Sequence, residues 1–226
     1  MRVMNGMVRQ MRRRAEAARE LPRERPDGWS LSPVDPGKVV KVFRSLRLKE
    51  GWKLCAYLYG IGGNGNGVVW AIPEEQEVPL PEECEESPDG LFEPPRPPGA
   101  LDNFMKVIEG SGTPRSYLSA SILARELREF GALWHGTSWD CVGVMEGRGS
   151  VEDAEGDERW TWHVPPPEDY GPMFELKAGK RRITMYFSSC VGMESIGKVV
   201  DTYPKKGYVF KTSGEDIASG GPGIVF

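Results

Sequence analysis

The chain has 226 residues, with 29 basic and 33 acidic side chains and a formal net charge of −4. An apolar fraction of 39% and an aromatic fraction of 10% suffice for a folded core, while the lack of any long apolar run excludes a membrane-spanning helix. The cysteines and histidines are too scattered for a disulfide framework or a metal site, so we predict a cytoplasmic protein with reduced thiols. These residues are Cys55, Cys84, Cys141, Cys190, His135 and His163.

The first 26 residues are predicted to form a basic helical arm. Residues 1–25 contain eight arginines and three glutamates, and apolar residues spaced three to four apart predict an amphipathic helix over 3–21 that ends before Pro22. Three interpretations stay open: a solvated or loosely docked arm, a contact with nucleic acid or an anionic membrane, and a helix that binds a partner protein. The negative charge of the whole chain argues against a nucleic-acid partner.

Residues 27–73 are predicted to form a β-hairpin region that joins the main core. The segments 52–59 (WKLCAYLY) and 68–72 (VVWAI) have strand composition, and the run 60–67 (GIGGNGNG) is predicted to be a flexible loop between them. The run contains G-x-G-x-x-G, but the segment after it is a strand rather than the helix that a dinucleotide site requires. The apolar residues at 39–48 are compatible with a strand or a short helix.

An acidic, proline-rich connection is predicted over 74–99. Residues 73–94 contain nine acidic residues and no Lys or Arg, which is typical of an exposed, extended segment. We interpret it as a solvated loop that can also contact a partner protein or fold back on the Arg-rich arm.

The main domain is predicted over 100–226, with helices at 100–109 and 114–130. The second helix has Thr113 as its N-cap and Gly131 as its stop signal. The predicted fold class is α+β: a mostly antiparallel sheet covered on one side by these two helices, with the basic arm and the acidic connection attached.

The rest of this domain is predicted to be β-rich. Alternating or β-branched residues predict six short strands, at 132–139, 141–145, 159–164, 173–177, 182–187 and 207–212. The residues AGKR predict a hairpin turn between the fourth and the fifth of these strands. Residues 147–158 are predicted to be an acidic loop, and 212–221 (TSGEDIASGG) has turn-like composition. The apolar C-terminus is predicted to be tied into a sheet.

The stretch EFGALWHGTSWDC raises the question of what His135 does. One interpretation is a histidine at the mouth of the core, bonded to the backbone beside Trp134 and Trp139. The other starts from LWHGT, which resembles the H-G-[ST] motif of ADP-ribosyltransferases of the poly-ADP-ribose polymerase type. That resemblance implies that His135 and Thr137 hold the ribose and the amide of NAD⁺.

The same resemblance extends to ITMYFSSCVGMESIGKV, further along the chain. It implies that Tyr186 stacks on the nicotinamide, that a short helix follows over 192–200, and that Glu215 is the catalytic residue.

Two classes of function follow from these observations. The first is a non-enzymatic, cofactor-free binding module of the cytoplasm, whose protein partner contacts the Arg-rich arm or the acidic 73–94 segment. The alternative is an NAD-dependent ADP-ribosyltransferase-like enzyme in which His135, Thr137 and Tyr186 bind NAD⁺ and Glu215 is catalytic. A measurement of NAD⁺ binding distinguishes the binding module from the enzyme.

Overall fold

The computed structural model describes residues 2–4, 6–84, 93–147 and 157–224. Contacts group the chain into two compact units, which we call the sheet unit (Met1–Gln10 and Asp140–Phe226) and the helix unit (Met11–Trp139). The predicted α+β class is confirmed, because 21% of the structure is helical, 38% is strand, and the strands pair antiparallel. None of the described helices is long and apolar enough to cross a membrane. The predicted domain boundaries stay a prediction.

The described residues form three α-helices, twelve strands and three short 3₁₀ turns. The helices are α1 (Val8–Ala18), α2 (Gly37–Val42) and α3 (Pro114–Arg128). The strands are β1 (Arg2–Val3), β2 (Gly28–Leu31), β3 (Leu46–Leu48), β4 (Trp52–Ile61), β5 (Asn64–Pro73), β6 (Ile108–Gly110), β7 (Val142–Val144), β8 (Thr161–Trp162), β9 (Met173–Lys177), β10 (Lys180–Ser189), β11 (Met193–Tyr203) and β12 (Lys211–Pro222). The 3₁₀ turns are Pro81–Glu83, Phe104–Val107 and Trp134–Gly136.

In the helix unit, β4 and β5 form a long hairpin with β2 on the other side of β4. The prediction of a loop over 60–67 is wrong, since pairing continues to Ile61↔Asn64 and leaves only Gly62 and Gly63 as the turn. Both glycines have positive φ, +54° and +85°, as a tight two-residue hairpin turn requires. Most of the glycine-rich run is therefore strand.

Helix α3 is confirmed, and it packs against β5, β3 and α2. The Thr113 hydroxyl accepts a hydrogen bond from the Ser116 backbone N–H at 3.3 Å, as expected of an N-cap. The helix predicted over 100–109 is wrong. Its residues instead form a 3₁₀ turn followed by β6, because Ile108 pairs with Leu48 of β3 and the backbone enters a sheet.

The 39–48 segment contains both of the predicted alternatives, with α2 followed by β3. The described ends of the acidic connection lie against the β4–β5 hairpin. The Tyr57 hydroxyl donates to the Pro79 carbonyl and the Trp70 indole N–H donates to the Pro95 carbonyl, both at 2.8 Å. Residues 85–92 lie outside the described residues.

Helix α1 is shorter than the helix predicted over 3–21. In the helix unit, Met11 and Ala15 are buried, and the guanidinium groups of Arg12 and Arg19 lie 3.6 and 3.5 Å from the carboxylate of buried Glu126. Two arginines of the predicted arm are therefore engaged with the protein's own core.

The first residues of α1 belong to the sheet unit. There the Glu146 carboxylate accepts the backbone N–H groups of Val8 and Arg9, at 2.8 and 3.1 Å. Because the first N–H groups of a helix have no partner within it, this distant carboxylate stabilises the start of α1.

The sheet unit is built on a seven-stranded antiparallel sheet in the order β1-β9-β10-β11-β12-β8, with β7 beside the far end of β10. Strands β10 and β11 pair from Arg181↔Tyr203 to Ser189↔Ser195. The core on one face consists of Met145, Tyr170, Tyr186, Ile196, Ile217 and Ala218, with Trp160, Trp162 and Met173 packed against it.

Four of the six predicted strands are found, as β7, β8, β9 and β10. The strand predicted over 132–139 is wrong, since those residues contain the Trp134–Gly136 turn. The helix implied over 192–200 is wrong, because β11 occupies that stretch between β10 and β12. The strand predicted over 207–212 starts only at Lys211, and β12 then runs through the turn-like stretch. Beyond it, Ile224 bridges Val191, which ties this end of the chain to the sheet.

Candidate functional site

The four residues that the resemblance singles out lie in two different units. His135 and Thr137 belong to the turn after α3 in the helix unit, whereas Tyr186 lies on β10 and Glu215 on β12 in the sheet unit. Each unit therefore has a candidate site of its own.

In the helix unit, the turn after α3 packs directly on the backbone of the β4–β5 hairpin. Leu133 and Gly65 exchange two backbone hydrogen bonds, with N···O distances of 2.9 and 3.4 Å. A Cβ atom at Gly136 would overlap the Gly65 carbonyl oxygen, and one at Gly67 would overlap the Phe130 carbonyl oxygen. The glycine-rich run is thus required for the close approach of two backbones, and the interpretation as a flexible connection is wrong.

Trp134 is the exposed aromatic residue of this turn. It is 72% exposed and its φ is +51°. This left-handed conformation costs a residue that has a Cβ atom about 1–2 kcal/mol. Two hydrogen bonds close the turn around it, one from the Gly136 N–H to the Leu133 carbonyl at 3.0 Å and one from the Thr137 hydroxyl to the Trp134 carbonyl at 2.7 Å. The indole is therefore displayed on a constrained backbone.

His135 is exposed, rather than tucked against the core. Its backbone N–H lies 3.5 Å from the Asn64 side-chain oxygen at the tip of the hairpin. Within the part of the chain that the structure describes, the imidazole has no hydrogen-bond partner. His135 is thus available to a ligand, while the hydroxyl of Thr137 is engaged in closing the turn.

Trp139 anchors the far end of the turn and is 6% exposed. Its indole N–H donates to the Glu126 carboxylate at 2.8 Å, and the Arg12 guanidinium stacks 4.1 Å from the centre of its ring. The Glu129 carboxylate accepts the Ser138 backbone N–H at 2.9 Å. The two tryptophans of this stretch therefore differ in role. Trp139 is buried and held by its hydrogen bond to Glu126, whereas Trp134 faces solvent.

In the sheet unit, the candidate site is a row of three side chains across β10, β11 and β12. Tyr186 lies opposite Lys198, and Lys198 lies opposite Glu215, so all three share one face of the sheet. The Lys198 ammonium donates to the Glu215 carboxylate at 2.7 Å. Tyr186 is 4% exposed, and its ring meets that of Tyr170 edge-on at 5.3 Å between centres.

Burial and charge shift the acidity of this row. Burial raises the pKa of Tyr186; the positive charge of Lys198 opposes this increase, while Glu215 and Asp169 add to it. The hydrogen bond to Glu215 is the main reason that the pKa of Lys198 is raised, and burial opposes that increase. Both Tyr186 and Lys198 therefore hold their protons more firmly than they would in water, and Lys198 donates its hydrogen bond to Glu215.

Trp134 and Lys198 were not among the functional residues predicted from the sequence. Nothing in LWHGT distinguishes an exposed tryptophan from a buried one, because the exposure follows from how the turn rests on the hairpin. For Lys198 the sequence contained part of the signal. Recognition of β11 as a strand would have placed Lys198 on one face of that strand by the alternation of side chains, but its position opposite Tyr186 depends on the register.

The second histidine is also in a polar contact. His163 Nε2 lies 2.8 Å from the Ser219 hydroxyl on the surface of the sheet unit. The four cysteines are free thiols. Over the described ranges, no group of three or more His, Cys, Asp or Glu side chains is arranged to hold a metal ion.

Comparison of the chain with protein-family models, with curated proteins and with solved structures gives no match. The similarity of LWHGT to the ADP-ribosyltransferase motif stays a resemblance of short segments. The geometry of the two candidate sites is therefore the main guide to what the protein does.

Proposed function

We propose that the protein is a non-enzymatic binding module of the cytoplasm, and that the Trp134–Gly136 turn is its contact with a protein partner. One observation carries this proposal: Trp134 is 72% exposed while its backbone has a φ of +51°. A glycine would adopt this φ without strain, and an exposed indole gains little from packing. A residue whose backbone conformation lowers stability, and whose side chain contributes little to folding, is typical of a functional position.

The surroundings of Trp134 suit a protein interface. Tryptophan is among the residues most enriched at the energetic centre of interfaces, where it fills a pocket of the partner. Asn64 and His135 add polar groups beside it, and Ile61, which pairs with Asn64 across the hairpin tip, is 53% exposed. An aromatic anchor with a polar rim is the pattern expected of such a contact.

The Arg-rich arm and the acidic 73–94 segment stay proposed as secondary contacts. Arg12 and Arg19 are engaged with Glu126, whereas Arg13, Arg14 and Arg23 of the arm are exposed and available to a partner. Deletion of residues 1–25 would be a poor test, because it removes side chains that are buried in the core. Charge reversal at Arg13 and Arg14 leaves those side chains in place.

The test is photo-crosslinking from the hairpin tip. A photoreactive amino acid at position 61 is used to capture partners from a lysate of the source cells, with and without Trp134→Ala. We expect one dominant adduct that Trp134→Ala abolishes without lowering the melting temperature. Leu176→Ala, which also removes an exposed apolar side chain but in the sheet unit, is the matched control and retains the adduct. An adduct that survives Trp134→Ala contradicts the proposal.

A second candidate function is an ADP-ribosyltransferase-like enzyme that uses NAD⁺. The observation in its favour is that Tyr186 and Glu215 lie on one sheet face, both opposite Lys198. His135 and Thr137 would bind the ribose and the amide, and Glu215 would be the catalytic residue. Stacking of nicotinamide on Tyr186 requires the core around it to open, since Tyr186 is buried against Tyr170.

A thermal shift with NAD⁺ tests this second function. NAD⁺ at about 100 times its dissociation constant adds about 2.7 kcal/mol to the stability. For a chain of this length that corresponds to a shift on the order of 5–10 °C. The enzyme hypothesis requires that His135→Ala abolish the shift and that His163→Ala, the control at the other histidine, retain it. No shift with wild-type protein removes the hypothesis and leaves the binding module.

A further inference from the structure

Five lysines gather at one end of the seven-stranded sheet. The β9–β10 turn has one at each side, the β11–β12 connection contributes two, and the fifth is the first residue of β12. Strand pairing puts the two connections side by side, since Arg181 at the start of β10 lies opposite Tyr203 at the end of β11. We call this surface the basic end; it consists of Lys177, Lys180, Lys205, Lys206 and Lys211, all of them exposed.

Among the described residues, no carboxylate is paired with the lysines of the basic end. Residues 176–182 and 202–213 contain no Asp or Glu. Across the residues that the structure describes, none of the five lysines forms an ion pair, whereas neighbouring cations on the same sheet do. Lys198 pairs with Glu215 at 2.7 Å and Arg182 lies 3.6 Å from Glu175. The lysines of the basic end therefore remain available to an anion from outside.

Two of these lysines lie directly opposite each other. Lys177 and Lys180 are cross-strand partners that flank the turn Ala178–Gly179. Like charges in directly opposite positions of an antiparallel pair are destabilising. The repulsion between Lys177 and Lys180 therefore lowers the stability of the folded state, and an anionic ligand between the two ammonium groups would attract both.

The basic end is held in a fixed shape. The Arg181 guanidinium donates to the carbonyl oxygens of Lys205 and Pro204, at 2.6 and 3.4 Å, and so joins the β11–β12 connection to the start of β10. Beneath it, the ring of Tyr203 packs against those of Tyr208 and Phe210, at 6.4 and 4.9 Å between centres. Lysines displayed on fixed backbone lose less freedom on binding than lysines on a loose tail.

We propose that the basic end binds the phosphate backbone of a nucleic acid. Lysine is a compact point charge suited to phosphate, and a row of phosphates offers one anion to each of several lysines. Leu176 is the one large apolar side chain exposed in the segments 173–182 and 202–213, so the surface offers little to a lipid bilayer. The net charge of −4 had argued against a nucleic-acid partner, but that value averages over a locally basic surface. This inference is independent of the proposed protein contact at Trp134.

The test is fluorescence anisotropy with labelled oligonucleotides of about 20 units, single-stranded RNA, single-stranded DNA and duplex DNA in separate arms. With about four phosphate contacts, the affinity is expected to fall about 50- to 150-fold between about 50 and 200 mM salt. Lys205→Gln/Lys206→Gln should lower the slope of log affinity against log salt by about two, whatever the base sequence. Lys38→Gln/Lys41→Gln on α2 changes the net charge equally and should leave binding as in the wild type.

Three outcomes would overturn the inference. The first is the absence of binding to all three oligonucleotides at the lower salt concentration, and the second is an equal loss in the two double variants. The third is binding to vesicles that contain phosphatidylserine without binding to any oligonucleotide, which would assign the basic end to a membrane surface. Melting temperatures of both variants within a degree or so of the wild type show that any loss is not due to unfolding.

Discussion

The β4–β5 hairpin of the helix unit and the β9–β10 hairpin of the sheet unit turn in the same way but differ in their neighbours. Each has a two-residue turn with positive φ at both positions, +54° and +85° at Gly62–Gly63 and +50° and +72° at Ala178–Gly179. Against the first hairpin lies the Phe130–Gly136 segment, in direct backbone contact. At the second, a Cβ atom added at Gly179 would meet nothing within 4 Å, and lysines flank the turn.

This difference explains two sequences that look unrelated. Where another backbone rests on a strand, glycine is needed beyond the turn itself, and the run GIGGNGNG results. Where the hairpin ends in open solvent, long charged side chains are tolerated, and KAGKR results. A glycine-rich run between strands therefore indicates backbone crowding here, whereas lysines at a turn mark a surface that an anion can reach.

The largest expected effect is that of Gly67→Ala. A Cβ atom at this position overlaps the Phe130 carbonyl, so either β5 or the end of α3 must shift, and we expect the free energy of unfolding to fall by about 3 kcal/mol. Gly62→Ala in the same hairpin meets no atom and should cost only about 1 kcal/mol, for its positive φ. Chemical denaturation followed by circular dichroism measures both. Equal losses would mean that crowding does not set the glycine pattern.

The β4–β5 hairpin also contains a buried thiol, Cys55, that should make the stability of the protein depend on pH. Burial raises the pKa of Cys55 on β4 to about 12 from 9.0, with Cys84 adding to the increase and Lys53 opposing it. Above pH 9 the unfolded chain loses a proton that the folded chain keeps. Stability should therefore be intact below about pH 9 and fall by up to about 1.4 kcal/mol per unit as the pH rises towards 12.

Denaturation at several pH values checks this expectation by comparison of variants. Cys55→Ala should flatten the fall between about pH 9 and 11. Identical slopes for wild type and Cys55→Ala would show that the Cys55 thiol ionises as readily in the folded protein as in the unfolded one.

Replacement by glycine should stabilise the protein slightly at the positions where a residue other than glycine has positive φ. Trp134→Gly and Ala178→Gly both relieve the left-handed strain of about 1–2 kcal/mol and lose about 0.5–1 kcal/mol to the flexibility of the unfolded chain. Both variants should thus gain up to about 1.5 kcal/mol in the free energy of unfolding. The melting temperature is the measurement. Destabilisation by Trp134→Gly alone would show that the indole packs against the protein, which would weaken the case for a binding residue.

The smallest expected change in stability is that of substituting a lysine that flanks the β9–β10 turn. Lys177→Gln should raise the free energy of unfolding by a few tenths of a kcal/mol at low salt, because it removes the repulsion from Lys180. Lys198→Gln, which removes an attractive pair with Glu215, should act in the opposite direction by about 0.2–1 kcal/mol. Both changes should shrink in high salt, since exposed charges are screened. Loss of stability in Lys177→Gln would point to an attractive contact at the basic end.

Where a fold element depends on neighbours in sequence, the prediction from sequence is accurate. Helix α3 begins at Pro114 behind its Thr113 cap, and β9 spans the predicted 173–177. The helix predicted over 100–109 fails because its apolar residues serve a sheet: Leu101 bridges Ala71, and Ile108 pairs with β3. Strand β12 was hidden in a serine- and glycine-rich stretch, since its strand conformation comes from pairing with β11.

The candidate sites show the same division. Sequence drew attention to the LWHGT stretch but chose His135 and Thr137 within it, because a motif names residue types and carries no information about exposure. It also selected Tyr186 and Glu215 without the lysine that lies between them, since Lys198 is their neighbour only through the register of β10, β11 and β12. The basic end escaped notice because its lysines come from two connections that are distant in sequence.

The α+β class, the capped helix α3 and the presence of the hairpins could be predicted from the sequence, because capping, turn residues and side-chain alternation act over a few residues. Which charges form ion pairs depends on the tertiary structure. Arg12 and Arg19 are paired with Glu126, whereas the lysines of the basic end have no paired carboxylate among the described residues. The tertiary structure also decided that Trp134 is exposed while Trp139 is buried. The reason is physical: charge pairing and solvent exposure depend on distances between segments, and those distances are set only when the strands and helices pack.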